Sequence, residues 1–325
     1  TPETPTATAA PPTFTPTATA TSNPSTATPT PSSGPGLQQI SNVDTPGYSY
    51  DLALLGNVLY IGDTSGGLQI IDVTDAFNPV EIGSLPTPRR AYGVAVDSGI
   101  AYVAATQAGL LVVDISDPSQ PELITTYNDM SYAWHVELMG DYAFVTDRLD
   151  GLYILDVQNP AQPQLVGTVP TSDQSLDIDF FGQYAYLADY RAGVHVLDIS
   201  DLNNPQILMT LPSNQTYGLM VKDNLLYLAD GNSGFKIFDL TDPGNPSLLG
   251  DFPTGGSMRS VNVQGQVAYI ADWSLGLFAI DVSNPALPVL LDNVDTPGRA
   301  VDVLHFDNFA YLADYEGGLT VYAGP

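Results

Sequence analysis

Seven aromatic residues, Tyr60, Tyr102, Phe144, Tyr186, Tyr227, Tyr269 and Tyr311, recur at intervals of 42 residues, with a single interval of 41. A glycine follows each in the same phase (Gly67, Gly109, Gly151, Gly193, Gly234, Gly276 and Gly318), and it opens a burst of aliphatics such as GLQIIDVTD or GLLVVDISD. A period this regular means one supersecondary unit copied in a ring or a stack. Residues 91–127 show what the unit contains. AYGVAV, IAYVAA, GLLVVDIS and PELITTY are rich in Val, Ile, Leu, Tyr and Thr, and DSG, TQAG and DPSQP separate them. Four such runs with Gly, Asp and Pro between them predict a four-stranded antiparallel meander. No helical period competes, and the prolines argue against helices. Four strands in about 40 residues is the blade of a β-propeller.

The ends fix the blade count. The last repeat stops at LTVYAGP with three strands, and LQQISNV at Leu37–Val43 supplies the fourth from the other end. NVDTPG occurs at 42–47 and again at 293–298, each time after an outer strand. The expected fold is therefore all-β, a seven-bladed propeller over 37–325 whose ring the N-terminal strand closes, which removes an open edge. GLQIIDVTD, GLLVVDISD, GLYILDVQN, GVHVLDISD, GFKIFDLTD and GLFAIDVSN resemble the LVIVD repeat of bacterial and archaeal surface proteins. The seventh copy, GLTVYAGP, departs from the motif at the chain end. The resemblance implies a propeller on an exported protein, and it implies no reaction.

Residues 1–36 are a different polymer, with twelve Thr, nine Pro, six Ala and four Ser. This composition favours extended polyproline II and resembles an O-glycosylated stalk. Thr13, Thr15, Thr17, Thr19, Thr21, Thr26, Thr28 and Thr30 are the glycosylation candidates. At about 3.1 Å per residue the stretch reaches on the order of 100 Å, enough to contact a neighbouring molecule. The start at Thr1, without Met or leader, reads as a processed form. Absence of cysteine fits export, and no run of 18 apolar residues is present to span a membrane. A net charge of −28 disfavours nucleic acid and anionic membranes.

The few basic residues are not scattered. Arg89, Arg90, Arg148, Arg191, Arg259 and Arg299, six of the eight, fall on loops expected to share one face of the ring. Trp134, Tyr190, Trp273 and Tyr315 lie on or beside the same loops. Arg and aromatics together are what binding surfaces favour. Asp63, Asp147, Asp189, Asp230, Asp272 and Asp314 end the second strands there; each would pair with an Arg or accept loop N–H groups. The opposite face carries turns such as DISDPSQP and an acidic rim through Asp75, Asp117, Asp201 and Asp242. Opposite charge on two faces outlines head-to-tail stacking.

The inner strands place Asp51, Gly93, His135, Asp177, Gly218, Ser260 and Asp302 on the axis, with apolar residues between blades. His135, Glu137, Asp177 and Asp179 come from adjacent blades, and hard oxygens with one imidazole suit a divalent cation; a water-filled channel is the alternative. No phosphate loop, GxSxG elbow, HExxH or EF-hand is present, so no catalytic residue and no other cofactor are expected. The leading expectation is a non-enzymatic extracellular structural or adhesive protein, a homo-oligomer or filament joined head to tail through its N-terminal stretch. The alternative is a cell-surface ligand- or glycan-binding propeller using the Arg/aromatic face. A hydrolase or lyase built on the channel acids ranks last.

Overall fold

The computed structural model describes residues 36–324. The expectations for the Thr/Pro-rich stretch and its glycosylation candidates lie outside the described residues, apart from residue 36. Seven four-stranded antiparallel sheets form the ring. In the first, Ser49–Leu55 lines the axis, Val58–Asp63 and Gly67–Asp72 follow, and Val80–Leu85 is outermost. The last blade combines Asp302–Phe306, Phe309–Ala313 and Leu319–Ala323 with the N-terminal strand Gln38–Val43. The closure read from the sequence is borne out, with Gln38 opposite Ala323 and Val43 opposite Leu319. Among the described residues no helix is long and apolar enough to cross a membrane.

The repeat residues do separate jobs. The seven marker aromatics are buried between blades, as are Leu52, Val94, Val136, Ile178, Leu219, Val261 and Val303 of the inner strands. Strand alternation sends these residues into the inter-blade cores and leaves their neighbours on the axis. Asp72, Asp114, Asp156, Asp198, Asp239 and Asp281 end the third strands, and each carboxylate accepts the N–H two residues on, at 2.8 or 2.9 Å. These Asx turns stop the strand and start the acidic turns. Gly318 shows why the repeat glycine is needed. Its φ is +71°, and a Cβ there would meet the carbonyl of Val43 on the closing strand.

Every outer strand carries one bulge against its neighbour. The bulges leave aliphatic pairs such as Leu123–Ile124, Ile207–Leu208 and Leu248–Leu249 exposed on the circumference. They also twist each edge away from regular pairing, which protects against edge-to-edge association.

Candidate functional site

The Asp residues ending the second strands build the loop face. Asp63, Asp147, Asp189, Asp230, Asp272 and Asp314 are fully buried. Each accepts an N–H from the loop that leads into its own inner strand: Gly47 (2.9 Å), Tyr132 (2.6 Å), Asp173 (3.2 Å), Gln215 (3.0 Å), Ser257 (2.9 Å) and Gly298 (2.7 Å) respectively. None pairs with an Arg. Lys236 reaches Asp230, and His195 Nε2 lies 3.1 Å from Asp189. The second of the two sequence-level expectations for these carboxylates therefore holds: they accept loop amides.

On that scaffold the aromatics and arginines meet around the axis. The inner strands contribute Tyr50, Trp134 and Arg259, and Tyr92 and Tyr217 lie just before theirs. Tyr92 stacks on Trp134 with centroids 4.1 Å apart, and Tyr50 meets both edge-on at 4.7 and 5.2 Å. Arg259 lies 3.7 Å over Tyr217 and 4.7 Å from Trp273. Loop residues extend the surface. Tyr48 stacks on Tyr315 at 4.3 Å, Trp273 meets Tyr315 at 5.2 Å, and Tyr190 meets Tyr217 at 5.2 Å. Arg148 covers Trp134 at 4.2 Å and donates to Gln174, Arg191 covers Tyr190 at 5.0 Å, and Arg299 covers Trp273 at 5.0 Å. Arg90 bonds Tyr92. Arg89 is exposed, with no ring or ion-pair contact among the described residues.

One property sets this surface apart. Arg299 with Glu316, at 3.1 Å, is the only Arg–carboxylate pair among the described residues. In a chain with 36 acidic residues, the other guanidinium groups meet aromatic faces and neutral polar side chains such as Gln174 instead of carboxylates. Tyr190 and Tyr315 also hold left-handed backbone, with φ of +26° and +45°. Blade 5 puts Gly231 at that position, with φ +47°. Non-glycine residues in this region carry strain of about 1–3 kcal/mol, which gathers at functional sites.

Beneath the mouth the axial channel narrows. A shallow space of about 80 Å³ lies among Tyr50, Trp134, Tyr217 and Arg259, and a lower one of about 190 Å³ among the channel acids. Both fall below the roughly 300 Å³ at which small-molecule sites begin. The channel carboxylates stitch neighbouring blades: Asp51 accepts from Val94 N (2.8 Å), Asp177 from Leu219 N (2.7 Å), Asp179 from Val221 N (2.6 Å) and Asp302 from Leu52 N (3.0 Å). Gly93 permits the close approach, since a Cβ there would sit 2.5 Å from the Cα of His135.

His135, Glu137 and Asp177 do converge. His135 Nε2 is 3.2 Å from Asp177 and 4.0 Å from Glu137, and Nδ1 is 3.5 Å from Asp51. Burial opposes charge on His135, but the Asp177 and Asp51 carboxylates outweigh it and push the imidazole up to about 10. Both ring nitrogens then act as donors. Among the described residues no group of three or more His, Asp or Glu is arranged to hold a metal ion. The ion pairs and amide bonds account for these four residues without a cation.

A pH dependence follows. Desolvation, then repulsion from neighbouring acids, raises Glu137 to about 8. Desolvation raises Asp179 and Asp302 to about 7, against their local hydrogen bonds. These carboxyls stay protonated in the fold while the unfolded chain ionises from about pH 4, so they lose stability as pH rises from about 4 to 8. His135 keeps its proton in the fold to about 10 but loses it near 6.5 when unfolded, so its contribution fades over that window. Hydrogen bonds to their own turns lower Asp72, Asp114, Asp239 and Asp281, and that support is lost as pH falls below about 4. The melting temperature should peak near pH 4–5 and fall toward pH 9. Glu137→Gln should flatten the decline, although 43 % exposure of that side chain lets water screen part of it. A melt rising from pH 5 to 9 would refute the assignment.

The comparisons with known proteins agree with this architecture. A family model, the LVIVD repeat, matches seven successive segments: 46–87, 88–129, 131–171, 174–210, 215–254, 255–296 and 297–321. No curated protein matches the chain. Among solved structures, the computationally designed Ika8 protein superposes with a TM-score of 0.66 at 12 % identity, covering 88 % of this chain and 100 % of that one. A chain from a crystal structure of the mitotic checkpoint complex superposes with 0.74 at 11 % identity, covering 92 % and 99 %. At such identities the likeness shows the fold alone.

Proposed function

The chain belongs to the LVIVD-repeat family, and from that premise we propose that it is a non-catalytic interaction module, a structural or adhesive protein acting outside the cell. One observation carries the reading: arginines, all but Arg299 without a carboxylate partner, are gathered with eight aromatics on a single face. That composition is the one interfaces concentrate. The channel offers an enzyme too little room, and its acids are occupied in holding blades together.

The N-terminal stretch supplies the assembly part of the proposal. Leu37 N donates to Asp292 at 2.5 Å, beside the outermost strand of blade 6. Gln38 pairs with Ala323, at the end of the last blade's third strand, where the acidic turns lie. Leu37 and Gln38 therefore sit at the rim of the turn face, clear of the arginines. We propose that the N-terminal stretch joins neighbouring subunits into a head-to-tail filament. Negative-stain imaging and native mass of the full chain should show assemblies that protein starting at Gly36 does not form. Identical monomers from both would reject the filament and leave the loop face as a docking surface.

A further inference from the structure

The charge on the Arg/aromatic face is arranged radially, and this limits what can dock there. Near the axis lie Arg148, Arg259 and the rings they cover. Asp44, Asp129 and Asp295 are exposed where loops leave the outer strands, so they form an acidic outer rim on the same face. A broad acidic partner would set acid against acid at that rim. A slim anionic ligand can reach the centre without meeting it. Its anionic groups would face guanidinium forks that have no carboxylate of their own. One guanidinium nitrogen, Nε of Arg259, is buried at the mouth without a hydrogen-bond partner.

The surface also constrains the ligand's body. The space at the mouth is small, about 80 Å³, and Asp51, Asp177 and Asp302 also line it, so an anionic ligand lies across the face instead of entering. Loop amides there are already taken by the buried aspartates, and several inner-strand amides by the channel acids. Polypeptide recognition by strand addition or groove docking has no purchase. What remains is flat rings, tyrosine hydroxyls and planar cations. Aromatic faces match the C–H faces of pyranose rings, hydroxyls match the sugar's equatorial edge, and Arg binds carboxylate in a two-pronged fork.

Resting on the reading of this face as a docking surface, we infer that it binds a polyuronate, a carboxylate-bearing polysaccharide chain, across Trp134, Trp273, Tyr217, Arg148 and Arg259.

The chain has only two tryptophans, and both lie in the site, so their emission reports on it directly. Titration with polygalacturonate should change tryptophan emission saturably, with a midpoint that rises with salt. Dextran, a neutral polymer, should have no effect, and polyglutamate should bind at least about tenfold more weakly. Arg148→Gln and Arg259→Gln should each weaken polygalacturonate by about tenfold or more. Because Arg259 is wedged between rings, Tyr48→Ser, at a side chain 44 % exposed, provides a variant that keeps the fold and should also weaken binding. Equal binding of polyglutamate and polygalacturonate would overturn the sugar inference and leave the docking surface intact. No emission change with either polymer would overturn both. Unchanged midpoints in Arg148→Gln and Tyr48→Ser would overturn the site.

Discussion

Removal of Leu37–Val43 is expected to lower the melting temperature by about 10 °C or more, or to prevent folding outright. The segment ties three blades. It pairs with Leu319–Ala323 over five positions, Ser41 Oγ donates to Ala76 O of blade 1 at 2.6 Å, and Leu37 N donates to Asp292 of blade 6 at 2.5 Å. Leu37 packs against Tyr322 and the blade 6 strands, while Ile40 and Val43 pack with Leu319 and Val321. Three apolar side chains at about 1.5–3 kcal/mol each make roughly 5 kcal/mol or more before the ladder is counted. That is a large part of the 5–15 kcal/mol typical of a whole domain. The loss also bares LTVYA as an apolar strand edge, so the product should aggregate on heating. Protein starting at Gly36 keeps the strand and should melt with the parent. A deletion variant within about 2 °C of the parent would show that the ring does not depend on closure.

The second large effect is expected at Asp272. Its carboxylate accepts from Ser257 N (2.9 Å), Ser274 N (3.0 Å) and Leu275 N (3.1 Å), joining the loop before one strand to the loop after another. Asp272→Ala strands those N–H groups and should cost about 3–5 kcal/mol. Asp272→Asn keeps one acceptor oxygen and should recover part of the loss. Blade 2 shows that the position itself tolerates Ala when its loop is closed otherwise: Ala108 N donates to Ala105 O at 2.9 Å and Gly109 N to Thr106 O at 3.0 Å. The segment around Trp273 has only a longer form of that closure, Leu275 N to Asp272 O at 3.3 Å, so tryptophan emission of the Ala variant should shift to the red as well. Thermal melts and emission spectra of the two variants decide it. Parent-like values for Asp272→Ala would remove the carboxylate from its structural role.

The ring was legible because its information is periodic. The 42-residue spacing, the one repeat split three strands to one between the ends and the twin NVDTPG segments each constrain the same topology. Apolar alternation located the inter-blade residues for the same reason. The centre of the loop face was only half legible. Arg148, Arg259, Arg299, Trp273 and Tyr315 stood out by residue type, but Tyr50, Tyr92 and Tyr217 did not. A signal for them exists: ten residues before each marker aromatic come Tyr50, Tyr92, Trp134, Leu176, Tyr217, Arg259 and Val301, one per blade. Reading one position nearer the marker found the channel instead. The roles of the channel acids were hidden because a carboxylate's partner there is the backbone N–H of the next blade, 42 or 43 residues away, and an amide leaves no mark in a sequence.

Gln38 lies opposite Ala323, so the strand that emerges first during synthesis can be used only after nearly every other residue has followed it. Until then the growing polypeptide is an open arc whose Gln38–Val43 strand has no partner. Pairing over such a separation is slow, because the loop entropy is spent before any contact rewards it. The last strand to appear thus serves as a completion signal. An arc that lacks Leu319–Ala323 stays loose at both ends and is open to proteolysis, whereas the closed ring holds its first and last strands in one sheet.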